Sequence, residues 1–128
     1  MNIFDKNLFV GVYGTLRKGG AAHHHLLDSE FIKTAKIKGK LYNIGWFPGL
    51  MEGEGDVLIE IYQINRLTLE TLDYFEGVPD LFRREVVKID EEDVFIYFYN
   101  RGITGGEIQG GDWLRFCEER KKENACKT

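Results

Sequence analysis

Apolar and polar positions alternate with a period of two over Leu8–Tyr13, with Leu8, Val10 and Val12 on one side and Phe9, Gly11 and Tyr13 on the other, which predicts a strand. Gly14 breaks the alternation where a bulge or a close backbone approach fits, and Lys18-Gly19-Gly20 prolongs the loop. A short helix is predicted over Ala22–Leu27. The period of two returns from Thr34 to Tyr42: Ala35, Ile37, Gly39 and Leu41 form a core face, and Lys36, Lys38, Lys40 and Tyr42 a wet one. Phe47-Pro48-Gly49-Leu50 reads as a type II turn, and Gly53 and Gly55 as a second bend. Val57–Ile64 is β-branched and nearly continuous in apolar character, a strong strand. Arg84–Ile89 and Val94–Asn100 are two more, joined by the acidic turn Asp90-Glu91-Glu92-Asp93, and a brief strand is predicted around Ile108.

Between these strands the period lengthens to that of a helix. Thr68 is placed to cap a helix over Leu69–Glu76, Gly77 to close it, and Pro79 to prevent its continuation. Asp112 is placed to cap a last helix from Trp113 to about Glu123, with Trp113, Phe116 and Cys117 turned inward. Mostly strands with one central and one terminal helix make an α+β, mainly β chain, predicted to form a small barrel with helices outside it or across its mouth. A doubly wound sheet fits poorly, because helices do not alternate with strands.

The 128 residues are read as a single domain spanning 1–128, long enough to bury about two-thirds of the unfolded surface. Hydrophobic residues make up 43% and charged residues 30%, as in globular proteins. No apolar run reaches the length of a membrane span and none resembles a secretion signal, so the expected location is the cytosol. The net charge of −4 comes from mixed acids and bases and gives no electrostatic footprint for nucleic acid. Arg120-Lys121-Lys122 sits among glutamates and reads as a solvated helix face. Cys117 and Cys126 match no metal or redox spacing and are expected to be reduced thiols. His23-His24-His25 invites a metal, but neighbours on a helix point about 100° apart and do not converge on one ion. No metal and no cofactor is expected.

Candidate chemistry is concentrated at two places. A strand ending in a glycine loop, as at Tyr13-Gly14-Thr15-Leu16, exposes successive N–H groups suited to an anion; the plainer reading is an ordinary turn. On the central helix, Leu69, Leu72, Asp73 and Glu76 share one face within an arc of roughly 100°, so Glu76 follows the apolar stripe inward. Burial and the helix C-terminus both disfavour its charge and would raise its pKa toward neutrality, where a carboxyl can take and return a proton. The plainer reading there is a solvated glutamate beside Gly77. Asp73, on the same arc, is a candidate to orient Glu76 or to cap locally.

Phe9-Val10-Gly11-Val12-Tyr13-Gly14-Thr15-Leu16-Arg17 resembles the N-terminal signature of the gamma-glutamylcyclotransferase-like superfamily. So do Gly45-Trp46-Phe47-Pro48-Gly49-Leu50, Leu72-Asp73-Tyr74-Phe75-Glu76-Gly77-Val78-Pro79 followed by Arg84, and Gly110-Gly111-Asp112-Trp113, in the same order along the chain. The resemblance implies a six-stranded β-barrel with flanking helices, in which the loop of Tyr13, Gly14, Thr15 and Leu16 binds a gamma-glutamyl group and Glu76 is the catalyst. It implies a small gamma-glutamyl substrate that closes on itself to give 5-oxoproline and a free amine, without a cofactor. One departure stands out: many members carry a tyrosine two residues before the arginine, and this chain has Phe82. Any hydroxyl needed there is absent or comes from Tyr97 or Tyr99, which share one side of their strand and for which wall packing is the simpler role. The leaving group is expected near Gly45–Leu50 and Gly102–Gly111. The rival class is a binding module that holds a metabolite in the same cavity without turning it over; a third reading is a transferase or hydrolase of another gamma-glutamyl amide.

Overall fold

A computed structural model describes residues 2–126, with side chains described through residue 123. Five strands form one mixed sheet: β1 (Leu8–Val12), β2 (Glu30–Asn43), β3 (Pro48–Ile64), β4 (Phe82–Ile89) and β5 (Glu92–Tyr99). Their spatial order is β2-β3-β1-β5-β4, so the shortest strand is the central one. It runs antiparallel to β3, with Val10 opposite Tyr62, and parallel to β5.

Helix α1 (Arg66–Phe75) and helix α2 (Trp113–Cys126) cover opposite faces of this sheet. Leu69 and Leu72 of α1 pack with Val10, Val12, Tyr62, Ile64, Tyr97 and Tyr99, and Trp113 of α2 packs with Val57, Ile59, Ile61, Val94 and Ile96. Two covered faces explain why β3 and β5 lack a polar alternation: both sides of these strands are core. β4 and β5 form a hairpin whose turn residues Asp90 and Glu91 have φ of 50° and 71°, the left-handed pair that matches strand twist.

Several expectations are corrected. Among the described residues the sheet has five strands and is not closed, with β2 and β4 at its two edges, in place of the expected six-stranded barrel. The glycine-rich stretch 102–111 joins β2 only through a bridge between Tyr42 and Glu107 and two flanking hydrogen bonds, Asn43 to Gly106 and Ile108 to Leu41, in place of a strand around Ile108. Glycine is poor at sustaining a ladder, but at Gly105 it is required, because a Cβ there would lie 1.6 Å from the Asn43 carbonyl oxygen.

Of the predicted Phe47–Leu50 turn, residues 48–50 begin β3, where Pro48 and Gly49 pair with Asn43 and Tyr42, and the actual turn is Ile44–Phe47, closed by Ile44 N–H to the Phe47 carbonyl at 3.1 Å. Proline is tolerated there as the first residue of a strand. The bend at Gly53 and Gly55 is a bulge: Lys38 pairs with Asp56 and Lys40 with Met51, leaving residues 52–55 opposite Gly39. The cap of α1 is Asn65, whose side chain accepts from Thr68 N–H at 2.7 Å, so the helix starts at Arg66 instead of Leu69. Gly77 follows as the closing residue with φ of 66°. The helix predicted at Ala22–Leu27 is a 3-10 turn over His23–Leu26, anchored by buried Leu26. Asp112 caps α2 as predicted, accepting from Arg115 N–H at 3.2 Å. Arg120, Lys121 and Lys122 are exposed. Cys117 is half-buried, its thiol pushed up by burial, and the side chain of Cys126 lies outside the described residues. No helix among the described residues is long and apolar enough to cross a membrane.

Candidate active site

The chain leaves β1 at the centre of the sheet, and its next five residues are pinned from several sides. Tyr13 is buried, and its hydroxyl donates to the Tyr97 carbonyl at 2.7 Å and accepts from Leu50 N–H at 3.3 Å, tying the loop to β5 and β3. Burial, reinforced by the nearby Glu76 carboxyl, pushes the Tyr13 pKa well up, so its phenol stays protonated. Gly14 lies flat on Pro48: a Cβ there would be 2.7 and 2.8 Å from two ring carbons, the close approach expected for this glycine. Arg17 N–H donates to the Gly14 carbonyl at 3.1 Å and Ala22 N–H to the Thr15 carbonyl at 2.8 Å, which makes 14–17 a turn.

Behind the turn sits a buried ion network. Arg17 donates from Nε to Glu60 at 2.9 Å and from its terminal nitrogen to Asp112 at 2.8 Å. The other Glu60 oxygen accepts from Lys18 N–H at 2.9 Å and from the Tyr62 hydroxyl at 2.8 Å. Burial works to raise the Asp112 pKa, but Arg17 and the Arg115 N–H outweigh it and hold the carboxyl below its ordinary value. Glu60 and its partners were missed in the sequence reading. The available signal was a lone acid in the apolar run Val57–Ile64, which demands a cation.

Glu76, the residue after α1, lines a small cavity of about 30 Å³ together with Tyr13, Gly14, Thr15, Leu16 and Tyr97. All five site residues predicted from the sequence therefore border one hollow. Burial pushes the Glu76 carboxyl up to about 7, and no contribution from the helix end is needed. Among the described residues its carboxyl has no hydrogen-bond or ion-pair partner.

Asp73 does not orient Glu76. It accepts from the Tyr97 hydroxyl at 2.7 Å and pairs with Arg84, whose guanidinium lies 4.7 Å over the Phe95 ring. Burial first, then Asp73 and Glu76, raise the Tyr97 pKa, so this phenol too is a fixed neutral donor. Phe82 is buried, 5.8 Å from the Phe47 ring and 5.4 Å from Tyr99, and Tyr99 packs in this aromatic group away from the cavity. Of the two tyrosines on that side of β5, only Tyr97 borders the cavity. The histidine run is divided in its contacts: His23 Nδ1 lies 2.9 Å from the Leu16 carbonyl oxygen, while the His25 ring packs 4.8 Å from Phe75. Among the described residues no three His, Cys, Asp or Glu side chains gather to hold a metal.

An unpartnered acid of near-neutral pKa thus shares one cavity with a glycine turn on a small mixed sheet. The chain belongs to the family described as gamma-glutamyl cyclotransferase, AIG2-like, which residues 10–115 match. It is 36% identical over 109 residues to a Vibrio cholerae protein named "Putative gamma-glutamylcyclotransferase", covering 83% of this chain and 95% of that one. It is 30% identical over 105 residues to the gamma-glutamylcyclotransferase family protein YtfP of Escherichia coli, covering 80% and 93%. The crystal structure of an uncharacterized Pyrococcus horikoshii protein superposes with a TM-score of 0.81 at 26% identity, over 91% of this chain and 98% of that one.

Proposed function

We propose that this protein is a gamma-glutamylcyclotransferase, cleaving a gamma-glutamyl amide to 5-oxoproline and a free amine. The observation that carries the reading is the Glu76 carboxyl, unpartnered and pushed up to about 7, in one cavity with the 13–16 turn. Family membership supports the same reaction. In a turn closed by one hydrogen bond from Arg17 to Gly14, the central N–H groups of Thr15 and Leu16 are not used by the turn itself. They are suited to the substrate α-carboxylate and to holding the chain folded for ring closure.

The substrate supplies its own nucleophile. Glu76, as carboxylate, takes a proton from the α-ammonium; the freed amine attacks the side-chain carbonyl, forming the ring N–C bond. As the tetrahedral centre collapses, Glu76 returns its proton to the departing nitrogen and the C–N bond to the leaving amine breaks. Overall the ring nitrogen gives up two protons and the departing amine gains two, so no water is consumed. A pKa near 7 lets one carboxyl serve in both directions. The Tyr97 hydroxyl, held by Asp73 beside Glu76, is suited to the role that the family hydroxyl would have at position 82. On this reading residues 1–128 work as one domain, in the cytosol, on a free small molecule.

The test is release of 5-oxoproline from a panel of gamma-glutamyl amines and amino acids by the purified protein. Turnover is expected to rise with pH toward a plateau above about 7 as Glu76 ionises, and to be lost in Glu76→Gln, which keeps the shape without the proton. Undiminished activity in that variant refutes the assignment of Glu76. Thermal stabilisation by the panel without product would favour a binding module instead.

A further inference from the structure

The Tyr97 phenol is held from outside the cavity, and the way it is held decides what it can do inside. Its hydroxyl donates to Oδ1 of Asp73 at 2.7 Å. The second Asp73 oxygen, Oδ2, is taken by Arg84, whose guanidinium is itself seated 4.7 Å over the Phe95 ring. Helix α1, β4 and β5 thus supply Asp73, Arg84 and Tyr97 to one clamp, and both oxygens of its carboxylate are committed. A hydroxyl carries one proton and two lone pairs, whereas a carboxylate only accepts. With its proton given to Asp73, Tyr97 has lone pairs alone to offer the cavity. The Tyr13 hydroxyl has no proton to offer either, having donated it to the Tyr97 carbonyl.

We propose that Asp73, braced by Arg84, is a positioning residue that fixes the polarity of Tyr97, so that Tyr97 accepts a hydrogen bond from the substrate α-ammonium and does not donate to the developing oxyanion. The proposal deepens the cyclotransferase reading and rests on it. A gamma-glutamyl substrate brings an α-carboxylate and a reacting carbonyl, which need donors, and an α-ammonium, which needs acceptors. The donors are the N–H groups of the 13–16 turn. The acceptors are Glu76 and Tyr97, which border the same cavity and lie close enough for the Glu76 charge to help raise the Tyr97 pKa. An ammonium has three N–H groups. Glu76 takes the proton of one, and Tyr97 holds another, keeping the nitrogen in place while the first proton leaves. A phenol free to rotate would spend part of its time aiming its own proton at that cation; the clamp removes this state.

The test sets turnover of the fastest gamma-glutamyl substrate beside competitive inhibition by its des-amino analogue, the glutaric acid monoamide of the same amine. Tyr97→Phe is expected to lower kcat/KM by about 10- to 100-fold, the worth of one hydrogen bond to a charged group. It should leave the inhibition constant of the glutaric monoamide unchanged, because that molecule has no ammonium to lose. Asp73→Asn should cost at least as much as Tyr97→Phe: the amide oxygen stays on Arg84, the NH2 turns to Tyr97, and the phenol proton is sent into the cavity against the ammonium. In the Tyr97→Phe background the same Asp73→Asn change should cost nothing further, since Asp73 acts only through that hydroxyl. An Asp73→Asn loss of equal size in both backgrounds, or a glutaric monoamide weakened as much as the substrate, makes the clamp a structural brace and overturns the proposal. Full turnover in Tyr97→Phe, with Glu76→Gln inactive, overturns it and leaves the cyclotransferase reading standing. No 5-oxoproline from any gamma-glutamyl amide overturns both.

Discussion

Replacing Glu76 by glutamine should make the protein more stable while disabling it, and the gain should depend on pH. In the unfolded chain a glutamate titrates near 4.5, whereas here burial holds the Glu76 carboxyl at about 7. Between those values the folded protein keeps a proton that the unfolded chain releases, so this group's contribution falls as pH rises through the window. It is fully present below about 4.5 and lost above about 7. At about 1.4 kcal/mol per pH unit the gap amounts to about 3 kcal/mol. The carboxyl borders an open cavity and is partly reached by water, which lowers the figure to between about 1 and 3 kcal/mol. Glutamine is neutral throughout. Urea unfolding of the two proteins should therefore give nearly equal stabilities at pH 4 and a Glu76→Gln advantage of about 1–3 kcal/mol at pH 8, a large share of a small domain's margin. The lowered His25 pKa is common to both proteins and cancels in the difference. A difference that stays flat from pH 4 to 8, or that favours the glutamate at pH 8, would refute the burial argument.

The Arg17 network gives a second test. Glu60→Gln leaves a buried guanidinium with only Asp112, at a cost of about 3 kcal/mol, and loosens the turn that faces Glu76, so urea stability and 5-oxoproline formation should fall together. Lys38→Met, which breaks an exposed pair with Asp56 of similar length, should cost less than about 1 kcal/mol and leave activity intact. Gly14→Ala puts a methyl group 2.7 Å from a Pro48 ring carbon that cannot rotate away. It should cost about 1–3 kcal/mol by melting, and kcat/KM should fall about 100-fold through displacement of the turn; unchanged turnover would mean the turn does not position substrate.

The pairing of the 13–16 turn with Glu76 was legible in the sequence because each half has a local signature. A period of two ends at Gly14, and a period of 3.6 carries Leu69 and Leu72 inward to Glu76. What periodicity does not encode is how far a sheet closes. Whether Ile108 sits in a strand or a single bridge depends on how well residues 102–111 can hold a ladder, and their glycines defeat it. Pro48 and Gly49 look alike as turn residues and as the first residues of β3; the choice is made by Tyr99, whose ring fills the space beside Gly49. The Asn65 cap was hidden because the first turn of the helix offers only Arg66 and an exposed Leu67, neither on the inward face of Leu69 and Leu72. Tyr97, Asp73 and Arg84 come from β5, α1 and β4, and only tertiary packing shows which tyrosine reaches the cavity.

The hairpin tip at Ile44–Phe47 is built differently from everything else around the cavity. One hydrogen bond closes it, and Trp46 at its apex is almost wholly in solvent, whereas the turn opposite is locked by Tyr13, Pro48 and a buried arginine. On the cyclotransferase reading, the two ends of the substrate would thus be met by parts of unequal freedom to vary. The tip can exchange its apex residue without touching the sheet, and the locked turn cannot change at all without reaching into the core. A lineage carrying this fold could therefore shift from one leaving amine to another in single mutational steps, while the gamma-glutamyl end stays constant. For an engineer, the same division makes Trp46 the place to randomise, since Ile44 packs on the core and Gly45 holds a φ of 128°.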